Sequence, residues 1–140
     1  MRIKMLQMAA LCLSVVTVAG VAYAKTYQLT STSMVPASRG TVDVGRDKNG
    51  NLQVNLRVEH LAKPSLLTPP ASTYIVWFQE GQSAPENEGE LKLDNDLKAE
   101  LKTTTPSRVF DILITAETDT HSKFPSDRLA LKASVQEAQR

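Results

Sequence analysis

The chain has few of the residues that carry metal, redox or covalent chemistry. Its one cysteine, Cys12, lies in an apolar stretch near the start, so residues 25–140 contain none. Disulfide bonds and thiol chemistry are therefore excluded for residues 25–140. His60 and His121 are its only histidines, and the spacing H-E-x-x-H is absent. The sequence thus displays no ligand set for zinc or copper.

No excess of one charge sign runs along the chain. Without Arg2 and Lys4, 14 basic residues stand against 15 acidic ones, a formal charge of −1. Nucleic acid is a poor candidate partner, because no stripe of positive charge is present to hold a phosphate backbone. The G-x-S-x-G motif of hydrolases is also absent, and a pair such as His121 and Ser122 arises by chance in most sequences. We expect no enzymatic activity, no catalytic residues, no cofactor and no metal site.

The first 24 residues have the order of a secretory signal peptide. Two basic residues precede a mostly apolar stretch, which ends in the tripeptide A-Y-A at positions 22–24. The alternative is an uncleaved membrane anchor, because the stretch is close to the ~20 residues that cross a bilayer. Cleavage after Ala24 is favoured, since A-x-A is a cleavage pattern that an anchor does not need. Cleavage there predicts a periplasmic or secreted protein with one domain, residues 25–140, and no membrane span.

The exported part alternates between apolar and polar residues, which is the period of β-strands. In "LQVNLRVEHL" the apolar face is formed by Leu52, Val54, Leu56 and Val58, and the polar face by Gln53, Asn55, Arg57 and Glu59. Further strands are predicted at Thr26–Ser33, Thr73–Gln79, Arg108–Glu117 and Leu129–Gln136. Seven or eight short strands with turns between them predict an all-β fold, an antiparallel two-sheet β-sandwich of immunoglobulin-like type.

Two hairpins have turns whose length follows from the apolar pattern. A three-residue loop Lys48-Asn49-Gly50 places Val44 opposite Val54 and gives Gly50 the position that needs positive φ. A two-residue loop would place a valine opposite an asparagine. In "GELKLDNDLKAELK" the same argument predicts a three-residue loop Asp94-Asn95-Asp96, with Leu93 opposite Leu97 and Leu91 opposite Ala99.

The only tryptophan, Trp77, lies in "TYIVWF", where both faces of the strand are apolar. This pattern is typical of a central strand that is covered by the opposite sheet on one side and by a loop or an edge on the other. We interpret Trp77 as a core residue, because a buried aromatic ring contributes a large apolar area. The strand predicted to face it contains Phe110, Ile112, Ile114 and Ala116.

An acidic segment follows this strand, with further carboxylates in the next turn: Glu80, Glu86, Glu88, Glu90, Asp94 and Asp96. Calcium binds several carboxylate and carbonyl oxygens, so a calcium site was considered. Neither segment has the spacing of a calcium loop. In "DKNGNLQVNLRV", Leu52 occupies the position of the invariant glycine and Val58 that of the bidentate glutamate. Solvated surface loops are the better interpretation.

The second half of the chain resembles the extracytoplasmic C-terminal domain of bacterial anti-sigma-K factors. The similar features are Tyr-x-x-Trp at Tyr74 and Trp77, Gly-x-Leu at Gly89 and Leu91, Thr-x-Glu at Thr115 and Glu117, and Pro-Ser at Pro125 and Ser126. The resemblance implies a β-sandwich and a sensory role. Four residues before the apolar stretch cannot supply the ~800 Å² that a specific interface needs. We therefore expect no direct binding of a sigma factor.

Two functions of different classes follow from these observations. The first is a non-catalytic domain that contacts an envelope protein through sheet edges or through the loops after Gln79 and Glu117. The alternative is a periplasmic module that binds a small molecule or a carbohydrate, with Tyr74 or Phe124 as a stacking platform. The sequence singles out no binding residue beyond these.

Overall fold

The computed structural model describes residues 23–138, so all but the end of the predicted signal peptide lies outside the described residues. The secondary structure comprises one 3-10 turn, Pro64–Leu66, and eight strands: β1 Tyr23–Ser31, β2 Arg39–Arg46, β3 Leu52–Glu59, β4 Thr73–Gln79, β5 Glu86–Glu90, β6 Ala99–Thr105, β7 Val109–Glu117 and β8 Leu129–Gln136. All neighbouring strands are antiparallel, which confirms the predicted all-β class. Within residues 23–138, none of the helical structure could cross a membrane.

The eight strands form one curved sheet in the order β5-β4-β7-β8-β1-β2-β3-β6. The predicted two-sheet immunoglobulin-like sandwich was therefore wrong. The reason is β1, which pairs with β2 up to Leu29 and with β8 at Thr30 and Ser31. This strand joins two groups of strands that a sandwich would keep apart. The sheet thus curls into a barrel-like shape that is almost closed.

The strands β1 and β2 approach each other closely at Gly40, which pairs with Leu29, the last residue of β1 that is paired with β2. A Cβ atom on Gly40 would lie 2.6 Å from Leu29 Cδ1 and 3.1 Å from the carbonyl oxygen of Arg57. No side chain fits there without displacing one of these groups. Glycine in a strand interior often marks a site where another part of the chain approaches closely, and the contacts at Gly40 fit this use.

The first predicted hairpin is confirmed in register and turn length. Val44 pairs with Val54 and Val42 with Leu56, and Gly50 has a φ of 80°. Asp47 closes the loop, because its Oδ1 accepts hydrogen bonds from the backbone N–H groups of Asn49 (2.8 Å) and Asn51 (2.9 Å).

Replacing Gly50 with alanine is expected to lower the free energy of unfolding by about 1 kcal/mol, because a Cβ atom disfavours a left-handed backbone. The nearest atom to that Cβ would be Arg108 Nη2, 3.9 Å away, so no steric clash adds to the conformational cost. Urea unfolding measures the difference. Lys48→Ala, in the same loop, is the matched control. An unchanged midpoint for Gly50→Ala would contradict the assigned turn.

Side chains fill the inside of the curled sheet. Alternate residues of every strand except β5 contribute to this core, among them Val42, Leu56, Val76, Ile112 and Leu131, each without exposed area. Phe78 and Phe110 pack with their ring centroids 4.7 Å apart. The strand of Phe110 does not face β4 from another sheet, as predicted, but pairs beside it, with Leu113 opposite Trp77.

The segment 60–72 closes one end of the core. Leu61 and Leu67 are buried within it, and the Tyr74 hydroxyl donates a hydrogen bond to the Ala62 carbonyl over 2.6 Å. Burial raises the pKa of the Tyr74 hydroxyl to about 12, against a smaller opposite effect of Arg128. The hydroxyl is therefore neutral at physiological pH and serves as a structural donor. Tyr74 has no exposed area, so its predicted role as a stacking platform was wrong.

Trp77 is fully buried, but on the outer face of the sheet. Tyr74, Val76 and Phe78 point into the core, and Trp77 is not part of that cluster. Its Nε1 donates to Thr115 Oγ1 on the same outer face, over 2.8 Å. The Asn87 side chain, opposite Trp77 on β5, donates to the carbonyls of Thr120 and Ser122. The loop 118–128 is thereby held across this face. The predicted burial of Trp77 is confirmed, whereas the opposite sheet predicted to cover one side of β4 is absent from the described residues.

Candidate functional site

The two end strands of the sheet, β5 and β6, lie side by side without a backbone ladder between them. Each is paired on one side only within the described residues, β5 with β4 and β6 with β3. A side-chain hydrogen bond connects them, from Thr103 Oγ1 to Glu88 Oε2 over 3.3 Å. We call the strip between β5 and β6 the open seam. It exposes unpaired backbone groups, which other proteins use as a template for an added strand.

The second predicted hairpin, which would have paired the two sides of the seam, does not form as expected. The backbone N–H of Asp94 donates a hydrogen bond to the Lys98 carbonyl over 2.8 Å. The turn therefore consists of residues 95–97, one position later than predicted. Leu97 has a φ of 59°, a conformation that favours glycine. Asp94 Oδ1 stabilises the turn by accepting from the backbone N–H groups of Asp96 (2.8 Å) and Lys98 (3.0 Å). The pairing of Leu91 with Ala99 is absent, since β5 ends at Glu90.

The strand β5 was missed by the sequence analysis, which interpreted Glu80 to Glu90 as a surface loop. Glu86–Glu90 instead pairs with β4, with a bulge between Val76 and Trp77. At the bulge Gly89 has a φ of 129°, and its N–H donates to Asn87 Oδ1 over 2.9 Å. The Asn-x-Gly spacing, positions 87–89, is the sequence signal that could have indicated this bulge.

The β5 side of the seam is acidic, with Glu86, Glu88 and Glu90 in five residues. Burial raises the pKa of the Glu88 carboxyl. The hydrogen bond from Thr103 lowers this pKa, while the neighbouring charge of Glu86 raises it further. A half-buried carboxylate beside a like charge is a feature that an incoming cationic group would stabilise.

Glu88→Gln is expected to make the protein more stable than the wild type at pH 7. The folded-state pKa of Glu88 is raised, so folding disfavours the ionised form, and this penalty appears as the pH rises through that pKa. Below about pH 4 the carboxyl is protonated in both states, and the difference should vanish. Urea unfolding at pH 7 and at pH 4 tests this. Glu59→Gln on β3 is the matched control. A variant less stable than the wild type at pH 7 would contradict the prediction.

A cavity opens at each end of the seam. The smaller one, about 130 Å³, lies at the Thr105 end, where Glu80, Glu86 and Glu88 surround the buried Phe78 ring. The larger one, about 340 Å³, lies at the Ala99 end between β3, β6 and the connection that carries Lys92 and Asp94. The loop after Gln79, predicted as a contact loop, thus borders the seam.

The acidic residues considered for calcium are used otherwise. Asp47 and Asp94 stabilise turns, and Glu88 bonds to Thr103. Residues 23–138 contain no group of three or more histidine, cysteine, aspartate or glutamate side chains placed to hold a metal ion.

The histidines lie outside β5 and β6, the two strands that border the seam. His60 directly follows β3, and His121 belongs to the loop 118–128 with Ser122. Ser122 Oγ donates to the Asp119 carbonyl over 2.8 Å, while His121 Nδ1 lies 3.2 Å from Thr120 Oγ1. The loop after Glu117, predicted as a contact loop, is mostly exposed, and its use as a contact stays a prediction. Phe124 in this loop is 71% exposed.

Comparison with protein-family models and with curated proteins gives no match for this chain.

Proposed function

We propose that this chain is an exported, non-catalytic domain that acts by protein contact in the bacterial cell envelope, through the open seam. The observation that supports it best is the pair of unpaired edge strands at the end of an eight-stranded sheet. A protein with an exposed strand edge commonly protects it with charged residues or uses it for binding. Here β5 carries the charges, whereas β6 ends in the threonine-rich run Thr103–Thr105.

The packed interior favours a surface function over an enclosed ligand site. The core cluster occupies the inside of the curled sheet, and cavities of about 340 and 520 Å³ lie outside this cluster. Export is proposed from the signal-peptide pattern of the first 24 residues. A relation to the sensory half of membrane anti-sigma regulators is part of the proposal, on the basis of the resemblance in residues 74–126.

Site-specific photo-crosslinking in cells tests the contact. A photoreactive residue at Thr104 on β6 is expected to capture an envelope protein, whereas one at Lys132 on β8 should capture none, because β8 is paired on both sides. The charge reversal Lys102→Glu should weaken the capture from Thr104, and Lys132→Glu should leave it unchanged. Equal capture from both positions, or none from Thr104, would refute the seam as the contact. The mass of the mature N-terminus tests export separately.

The alternative is a periplasmic module for a small molecule or carbohydrate, and the exposed ring of Phe124 favours it. In that case we expect the wild-type chain to bind on a glycan array. Phe124→Ala should abolish this binding. Val109→Ala should leave it intact and serves as the control, because Val109 is a second exposed apolar residue, 52% accessible. Absence of glycan binding by the wild-type chain would leave the seam proposal as the one to pursue.

A further inference from the structure

Two arginines on the outer face of the sheet differ from the other arginines in residues 23–138. Three of the five donate to backbone carbonyls that lie far away in the sequence: Arg46 to Ala138, Arg108 to Gly50 and Arg128 to Pro69. Arg39 and Arg57 are exposed, and neither lies within 4.0 Å of a carboxylate oxygen in this part of the chain. Their guanidinium groups keep donors available for a ligand.

Both guanidinium groups border one groove. In the β2–β3 ladder Arg39 is opposite Glu59 and Thr41 is opposite Arg57, so the two arginines are diagonal neighbours on one face. Such pairs have their Cα atoms roughly 7–8 Å apart, within reach of long side chains. A groove of about 360 Å³ lies there, bordered also by Gln28 and Thr41. Gly40 lines the same groove and adds no side chain to it.

Asn55 and Lys98 contact the groups around the groove: Asn55 contacts Arg57, and each of the two contacts a nearby carboxylate. Asn55 is 2% exposed, and with its amide oriented to suit both neighbours it accepts from Arg57 Nη2 over 3.3 Å and donates to Glu100 Oε1 over 3.1 Å. Glu59, in the groove wall, lies 3.9 Å from Lys98 Nζ. A buried asparagine thus holds one guanidinium group in place, and a lysine balances the carboxylate that would repel an anion.

We infer that the groove between Arg39 and Arg57 binds a tetrahedral oxyanion, a phosphate or sulfate group. Guanidinium groups present planar pairs of N–H donors that match such oxygens, and two of them offset the charge of a divalent anion. The Thr41 hydroxyl and the Gln28 amide can donate to a third oxygen. This site goes beyond the proposed protein contact and lies on the outer face of β2 and β3, although Arg57 and Glu59 also border the cavity at the Ala99 end of the seam.

Titration of the exported chain with inorganic phosphate and sulfate, followed by backbone NMR, tests the site. We expect saturable shifts at residues 39–41 and 57–59. Arg57→Gln and Arg39→Gln should each weaken binding tenfold or more, because charge-assisted hydrogen bonds of about 1.5 kcal/mol or more are lost. Arg57→Lys should recover part of it. Lys132→Gln on β8 is the control that removes one positive charge elsewhere. Melting curves of each variant verify that it is folded.

Parallel titrations distinguish the sources of the oxyanion. Response to the free ions alone indicates a small anion as ligand. Stronger binding of dextran sulfate or of phosphatidylglycerol vesicles, lost in the same arginine variants, indicates a sulfated polymer or a lipid headgroup. Equal affinity of the arginine variants and Lys132→Gln would overturn the inference, as would the absence of binding for every probe. Neither result would affect the seam, which the crosslinks report independently.

Discussion

Leu56→Ala is expected to lower the free energy of unfolding by about 3–5 kcal/mol, the largest effect anticipated for any single side chain discussed above. Leu56 has no exposed area and lies in the middle of β3, between Val42 on β2 and Leu101 on β6. The substitution removes three carbon atoms, Cγ and both Cδ, from a filled interior and leaves a cavity that the surrounding strands cannot collapse to fill.

The same substitution at an exposed leucine supplies the control. Leu66 is 75% accessible, so Leu66→Ala should change stability by less than about 0.5 kcal/mol. Urea unfolding of both variants gives the comparison. A cost below about 1 kcal/mol for Leu56→Ala would mean that the interior is loosely packed. An internal ligand cavity would then become a better functional hypothesis than a surface contact.

Glu117→Ala is expected to cost about 2–4 kcal/mol, because it removes the acceptor at the end of a buried hydrogen-bond chain. Trp77 Nε1 donates to Thr115 Oγ1, which donates to Glu117 Oε1 over 3.1 Å. The same oxygen accepts from the backbone N–H of Ser126 over 2.7 Å. Glu117 is 6% exposed, so water cannot readily replace the lost carboxylate.

The loss should be visible at Trp77 as well as in overall stability. Release of Ser126 frees the loop 118–128 from the outer face, so indole emission should shift to longer wavelength before global unfolding. Asp127→Ala, an exposed carboxylate of the same loop, should leave both emission and stability unchanged. Unaltered emission in Glu117→Ala would show that the other contacts of the loop, such as those of Asn87 and of the Ser126 hydroxyl, hold it without Glu117.

Much of the fold could be predicted from the sequence, because strand periodicity and turn chemistry are local. The bounds of β4 and β8 agree with the prediction, and so does the register around Gly50. The number of sheets could not be predicted from these local patterns. The partner of β1 changes from β2 to β8 after Leu29, and the alternation of residues within β1 does not indicate this change.

The candidate contact surface was less predictable than the core. The sequence suggests sheet edges as contacts, but it does not indicate which strands lie at the edges. Glu86–Glu90 has no apolar alternation, so its pairing with β4 depends on the Asn87 side chain and on distant carbonyls in the loop 118–128. Leu97 adopts a conformation that favours glycine, and the turn that it ends lies one residue later than predicted. Neither effect has a signature in hydrophobic periodicity.

The pairing of Thr30 and Ser31 with Lys132 and Leu131 has a consequence for how the chain matures. These contacts join the first strand to the last, about a hundred residues apart, and such distant closures form late and slowly. During synthesis, the edges of β1 and β7 that later pair with β8 stay unpaired until this last strand emerges. A holdase that shields them would therefore act on nearly the whole polypeptide, and deletion of residues 129–138 should yield a species prone to self-association.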